Sequence, residues 1–453
     1  MAERLDRRGF LRLGGMATLA AAGLGAACGS GSEGSKSGST AGSPKKTTTL
    51  RIAQWSHFVP AYDAWFDGEY VKRWGEEHDV EVVVDHVPLV EVAGRADAEV
   101  ATQRGHDIFG FSAPPPAYED SVIDHREMIE EVVARIGPMT PLVERSVLNP
   151  KTGKYFGFPD YWSPNTVHYR SDLWAKVGRM PDTWEDLLRV GPALKGMGNP
   201  LGIGFSEDFD ANVSLLALMH AYGASIQDEA GNLTINRPAT VEAVKMGTAI
   251  YQAGMTNEVL AWDAASNNRF LAGGKGSLIL NPVSALRAVE KQDPELAKQV
   301  TLAPVPSGPS GRLGAHSVMG AYVIWKFSKV QTIAKQFLVD LAVNYREAFV
   351  RSESYNIPAF PGAVRDLDTL LASDATAQPP DKYGFLAEAG QWSTNLGHPG
   401  HTNAVTNDVY NQFLVPRMFA AAARGVMTPE EAVKAAEAQI TPIFDKWREK
   451  GKI

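Results

Sequence analysis

The sequence predicts an α/β protein with more than one core, and three features carry that expectation. Residues 50–55 alternate as a strand does, residues 62–77 set Trp65, Phe66, Tyr70, Val71 and Trp74 at helical spacing, and residues 80–86 alternate again. Strand, helix and strand in that order make an α/β layer. The chain has 453 residues, 44% of them apolar, well above the commonest size of a single domain. Between two further strand-like runs lies Asp160-Tyr161-Trp162-Ser163-Pro164-Asn165, a proline-limited polar and aromatic connection placed to act as a hinge.

The remaining elements follow in order. A helix is expected over residues 90–104, then a third strand over 106–112 stopped by Pro114-Pro115-Pro116, a helix over 123–136, and strands at 155–159 and 166–169. Pro181 opens another helix, with Asp182 or Thr183 as its N-cap and acidic residues in its first turn. Residues 201–205 read as strand, and 213–222 and 240–253 as helices. Residues 268–280 read as a helix end, a glycine turn and a strand. Residues 300–306 begin an edge-type strand and 322–325 another, 331–343 form an amphipathic helix, and a final helix over 428–446 is capped by Thr428.

A formal net charge of −8 disfavours a nucleic-acid partner, because phosphate binding leans on clustered Lys and Arg. The one cysteine, Cys28, excludes an intrachain disulfide and a cysteine-based metal centre. No cofactor is expected.

The front of the chain reads as an export signal. Basic residues precede a weakly apolar Gly/Ala-rich stretch too short to span a membrane. Arg7 and Arg8, followed by Gly9-Phe10-Leu11-Arg12, resemble the twin-arginine signal, with the general secretory route as the alternative. Small residues directly before Cys28 resemble a lipobox, in which the thiol receives diacylglycerol. The alternative is an ordinary signal peptide ending near a cysteine. Residues 28–48 would then be the lipidated cysteine and a Gly/Ser-rich tether holding the folded part off the outer face of the cytoplasmic membrane.

Three runs carry a family resemblance: Gly153-Lys154-Tyr155-Phe156-Gly157-Phe158-Pro159, then Val167 to Gly178, then Pro181 to Leu187. A second set is Phe270 to Leu278, Ala303 to Pro309 and the glycine-containing run 314–320. In order and spacing these resemble the extracellular solute-binding proteins of ABC importers, specifically the sugar-binding, maltose-binding-protein-like group. The resemblance implies two α/β lobes joined by hinge strands, with solute held between them. It puts lobe one at residues 49–162 plus 299–343 and lobe two at 163–298 plus 344–453. It implies a monomer that takes a small-molecule solute, a sugar, and hands it to the permease subunits of the importer. The same fold could instead take a glycerophosphate-type polyol, a polyamine or a peptide. Asn281-Pro282-Val283-Ser284 stands where the maltose-binding group carries a stacking tryptophan, which speaks against maltose itself.

A sugar presents an apolar C–H face and a ring of hydroxyls, so its binder needs flat aromatics together with carboxylates and amides. After the first strand come Trp55, Ser56 and Phe58, of which Trp55 or Phe58 faces the cleft or packs between strand and helix. Asp107 bonds a hydroxyl or caps a backbone turn, and Ser112 follows the third strand. Asp160, Trp162 and Asn165 sit on the expected hinge. Glu207 and Phe209 stand where the resemblance implies a carboxylate and an aromatic for sugar. Trp262 precedes a helix, Asn281 ends a strand, His316 follows a glycine turn, and Trp392 lies in the C-terminal region. Each has a packing or capping role as its alternative. An enzyme is not expected: GxSxG, HExxH and the phosphate-cradling loop are all missing, and an exported glycoside hydrolase is the weakest reading.

Overall fold

The computed structural model describes residues 48–453, so Arg7, Arg8 and Cys28 lie outside the described residues. Two sheets organise the chain. The larger has the order Ile357–Pro358, Phe158–Pro164, Gly314–Ile324, Ile108–Phe111, Thr48–Trp55, Val80–Val87, with Ser393–Thr394 beside Gly314–Ile324. Thr48–Trp55 pairs in parallel with both Val80–Val87 and Ile108–Phe111, while the neighbours of Gly314–Ile324 within the main order run antiparallel to it. The smaller sheet has the order Val300–Pro304, Thr166–Arg170, Leu278–Asn281, Leu201–Gly202. Together the sheets and their helices make the two-lobe α/β fold that the family resemblance implies.

The lobes are joined at short crossings. Phe158–Pro164 leaves the large sheet and, after Asn165 alone, becomes Thr166–Arg170 of the small one. The expected hinge connection is therefore strand, buried along its whole length. Its backbone groups are paired on one side by Gly314–Ile324 and on the other by Ile357–Pro358, which leaves the polar segment no reason to loop out. Val300–Pro304 pairs antiparallel with Thr166–Arg170 and so belongs to the small sheet, and the chain returns to the large sheet only at Gly314.

Local signals explain most helix boundaries. Thr183, not Asp182, caps Trp184–Gly196, in a capping box with Asp186. Thr428 and Glu431 form the same motif at the start of Pro429–Glu449. Phe209–Ala221 is capped by Asp208 and buried from Ala211 to Ala221, which is why its sequence carries no amphipathic stripe. The core contains Trp174, Trp184 and Trp325, each at most 1% exposed. Truncating any one to Ala would cost about 3–5 kcal/mol. Among the described residues no helix is long and apolar enough to cross a membrane.

Candidate functional site

Three parallel strands of the large sheet end on the same side, and ligands of open α/β sheets collect outside such carboxyl ends. Phe58, Leu89 and Ser112 follow those three ends and form one wall of a cleft with Phe111 and Tyr118. The opposite wall is built by the first turn of Phe209–Ala221, the segment 262–264, the end of Leu278–Asn281, and Tyr410 and Phe413 beyond. The cleft holds a cavity of about 330 Å³. A smaller recess shares Leu89, Ser112, Phe209 and Tyr410 with it and reaches Asp210, Asn281, Ser317 and Tyr355.

The walls are aromatic and acidic. The ring of Phe209 lies 5.6 Å from that of Tyr410 and 5.4 Å from that of Phe413. Trp262 packs on Phe270 at 5.1 Å. Gly202 makes room for that pair, since a Cβ there would come within 2.8 Å of Trp262 Cη2. Glu207 accepts from Arg417 at 2.8 Å, and Asp263 from Arg269 at 2.8 Å. Asp208 accepts the N–H groups of Asp210 and Ala211 at 2.9 and 3.0 Å. Asp210 accepts the side-chain amides of Asn267 and Asn281 at 2.9 and 3.3 Å. Desolvation raises both Asp208 and Asp210 above the usual carboxylate range, and the charge of Asp208 pushes Asp210 further.

Of the residues singled out in the sequence, Phe58, Ser112, Glu207, Phe209, Trp262 and Asn281 line the cavity or its recess. Trp55 and Asp160 instead line a small separate space with His57, Tyr62 and Tyr322, beneath the crossing strand. There burial lifts the Asp160 carboxyl to about 8. The rest lie off the cavity. Asp107 stands at the amino end of its strand, where its carboxylate accepts the Arg51 N–H at 3.0 Å and the Ser328 hydroxyl at 2.7 Å. Trp162 is 3% exposed inside a strand paired on both sides. Asn165 fills the one-residue crossing and donates to Ser214 at 3.5 Å. His316 is buried in the strand facing Pro164, and burial lowers its ring to about 3. Ser56 is exposed, its N–H held by the Val87 carbonyl. Trp392 is buried with its carbonyl accepting from Gly314.

Leu89, Phe111, Tyr410 and Phe413 were not singled out, and Asp210 stood only in the acidic run that a glycosidase or a polyamine would use. Asp210 had a signal, as the third acid of the run beginning at Glu207. Tyr410 and Phe413 had none, because their place in the wall comes from a C-terminal segment far from the cleft in sequence.

The profile of the bacterial extracellular solute-binding protein family matches residues 69–379, more than half of the chain. The chain belongs to that family. Among sequence relatives, a protein of Deinococcus radiodurans named as a probable ABC transporter-binding protein is 24% identical over 307 residues, covering 64% of this chain and 69% of the relative. A provisionally named binding protein of Brucella abortus is 26% identical over 210 residues, 45% of this chain, and the chain spans about half the length of that relative, 50%. Solved structures share the solute-binding fold at low identity. A Thermotoga lettingae ABC transporter solute-binding protein bound with α-D-tagatose superposes with a TM-score of 0.73 at 15% identity, covering 88% of this chain and all, 100%, of that one. An Arthrobacter chlorophenolicus sugar transporter protein with bound laminaribiose gives 0.73 at 14%, covering 87% and 99%.

Proposed function

We propose that this member of the extracellular solute-binding family captures a carbohydrate in the cleft and delivers it to the permease subunits of an ABC importer. The observation that carries the reading is the composition of the cavity walls. Aromatic rings at Phe209, Trp262 and Tyr410 offer flat apolar surface, and Asp210 with Asn281 offers hydrogen-bonding groups beside it. The saccharides in the related structures support the same class of ligand.

The protein works by closure. Solute that touches both walls stabilises the closed arrangement by its differential affinity, and the permease reads that state. Lobe one comprises the large sheet and its helices, lobe two the small sheet and its helices, with the crossings at residues 164–166 and 305–313 as hinges. The chain acts as a monomer, exported through its twin-arginine-like signal and held at the outer face of the cytoplasmic membrane by acylation of Cys28, with residues 29–48 as tether.

Calorimetric titration with tagatose, laminaribiose, maltose and ribitol tests the carbohydrate reading. Saturable binding of one saccharide class at one site per chain is expected. Binding of a peptide or a phosphorylated polyol, with none of any saccharide, would overturn it.

A further inference from the structure

The cavity and its recess are lined by four carboxylates, Glu207, Asp208, Asp210 and Asp263, and among the described residues by no Lys or Arg. Two of the four are already neutralised, Glu207 by Arg417 and Asp263 by Arg269. Asp208 and Asp210 receive only neutral donors: the Ser206 hydroxyl, two backbone N–H groups, and the amides of Asn267 and Asn281. The protein supplies no counter-charge for this pair.

A second observation lies across the recess. Tyr355 is 0% exposed and lines the recess with Asp210, and its hydroxyl has no partner. Tyr410 lines the same recess at 5% exposure. Burial first, and the charge of Asp210 next, raise both phenols, so both rings lie within the field of that carboxylate. A carboxylate without a basic partner, bordered by aromatic rings and a free hydroxyl, is a receptor for an ammonium group. The charge pairs with the carboxylate, the ring quadrupoles add attraction, and the hydroxyl accepts an N–H.

We propose that the solute is an amino sugar whose ammonium sits in the recess against Asp210, Tyr355 and Tyr410. The proposal rests on the carbohydrate reading above. Burial and the charge of Asp208 keep Asp210 protonated up to about pH 8, so an ammonium binds with release of that proton to solvent, a neutral sugar gains no ion pair there, and a phosphorylated or uronic sugar meets the charge of Asp208; the cleft therefore discriminates by charge as well as by shape.

The test is calorimetric titration of the full chain at pH 7. Glucosamine, galactosamine and the unacetylated β-1,4 glucosamine disaccharide are each compared with the hydroxyl and N-acetyl counterparts and with the matching uronate. The amino compound of at least one set is expected to bind ten-fold or more tighter than both neutral counterparts, with no uronate binding. Asp210→Asn is expected to collapse that ratio toward one. Tyr355→Phe, which keeps the ring, is expected to reduce it by a smaller factor, and the wild-type ratio stands alone if either variant fails to fold. Neutral sugars binding as tightly as their amino counterparts would overturn the proposal and leave the carbohydrate reading intact. Spermidine binding with no saccharide bound would overturn both.

Discussion

Asn281 donates its side-chain amide to Asp210 at 3.3 Å, which ties the end of a small-sheet strand to the first turn of the helix Phe209–Ala221. The same amide also donates to Asn268 at 2.9 Å. Asn281→Ala leaves Asp210 with one amide donor instead of two. Solute affinity is expected to fall about tenfold, or ~1.4 kcal/mol, with ~1–2 kcal/mol lost in stability. Calorimetry and melting of the variant check both.

Trp262 is half-buried at the cavity wall, whereas Trp55 and Trp162 are 5% and 3% exposed and lie off the main cavity. Solute binding should therefore change tryptophan emission through Trp262. In Trp262→Phe most of that ligand-dependent change is expected to vanish, and in Trp162→Phe to persist. Fluorescence titration of the two variants distinguishes them.

Asp160 gives stability a pH dependence of definite sign. Burial raises its carboxyl from 3.8 to about 8, so the folded protein keeps a proton that the unfolded chain releases near pH 4. Stability is lost as pH rises from about 4 to 8, by an amount on the order of 5 kcal/mol at full effect. Asp160→Asn should become progressively more stable relative to wild type across that window. Denaturant unfolding at pH 5 and pH 8 measures the difference.

His106 works at a higher pH. Burial alone lowers the ring's pKa, but hydrogen bonds to Glu99 at 2.6 Å and Asp85 at 2.8 Å outweigh it, and the folded pKa stands above 6.5. The stabilisation is complete below pH 6.5 and fades as pH rises through the folded value. His106→Gln is therefore expected to cost most below pH 6.5 and less in alkali, as melting temperatures across pH 5.5–9 would report.

The α/β order and the capped helices were legible in the sequence because periodicity and caps are local signals, while the two-lobe architecture came from the family resemblance. Thr428 with Glu431 and Thr183 with Asp186 are examples. The hinge was misread as a connection because Asp160 and Ser163 look like loop residues, while their burial depends on strands some 150 to 200 residues away. Asp107 misled in another way. Its place at the start of the third strand was already readable, and the parallel pairing with Thr48–Trp55 puts that end opposite the carboxyl ends that face the cleft. Part of the cavity wall comes from Asn407, Tyr410 and Phe413, whose pattern in the C-terminal helical region is indistinguishable from ordinary core.

Phe209 is the side chain on which the account of the cleft turns, since it lines both the cavity and its recess and meets Tyr410 and Phe413. The most direct test is to titrate wild type and Phe209→Ala side by side with the saccharide that wild type binds, and to record the melting of each protein without ligand. The account predicts at least a tenfold loss of affinity, with the unliganded melting temperature lowered by far less than a core truncation would lower it. Unchanged affinity in Phe209→Ala would place the solute elsewhere and contradict the assignment of this cleft.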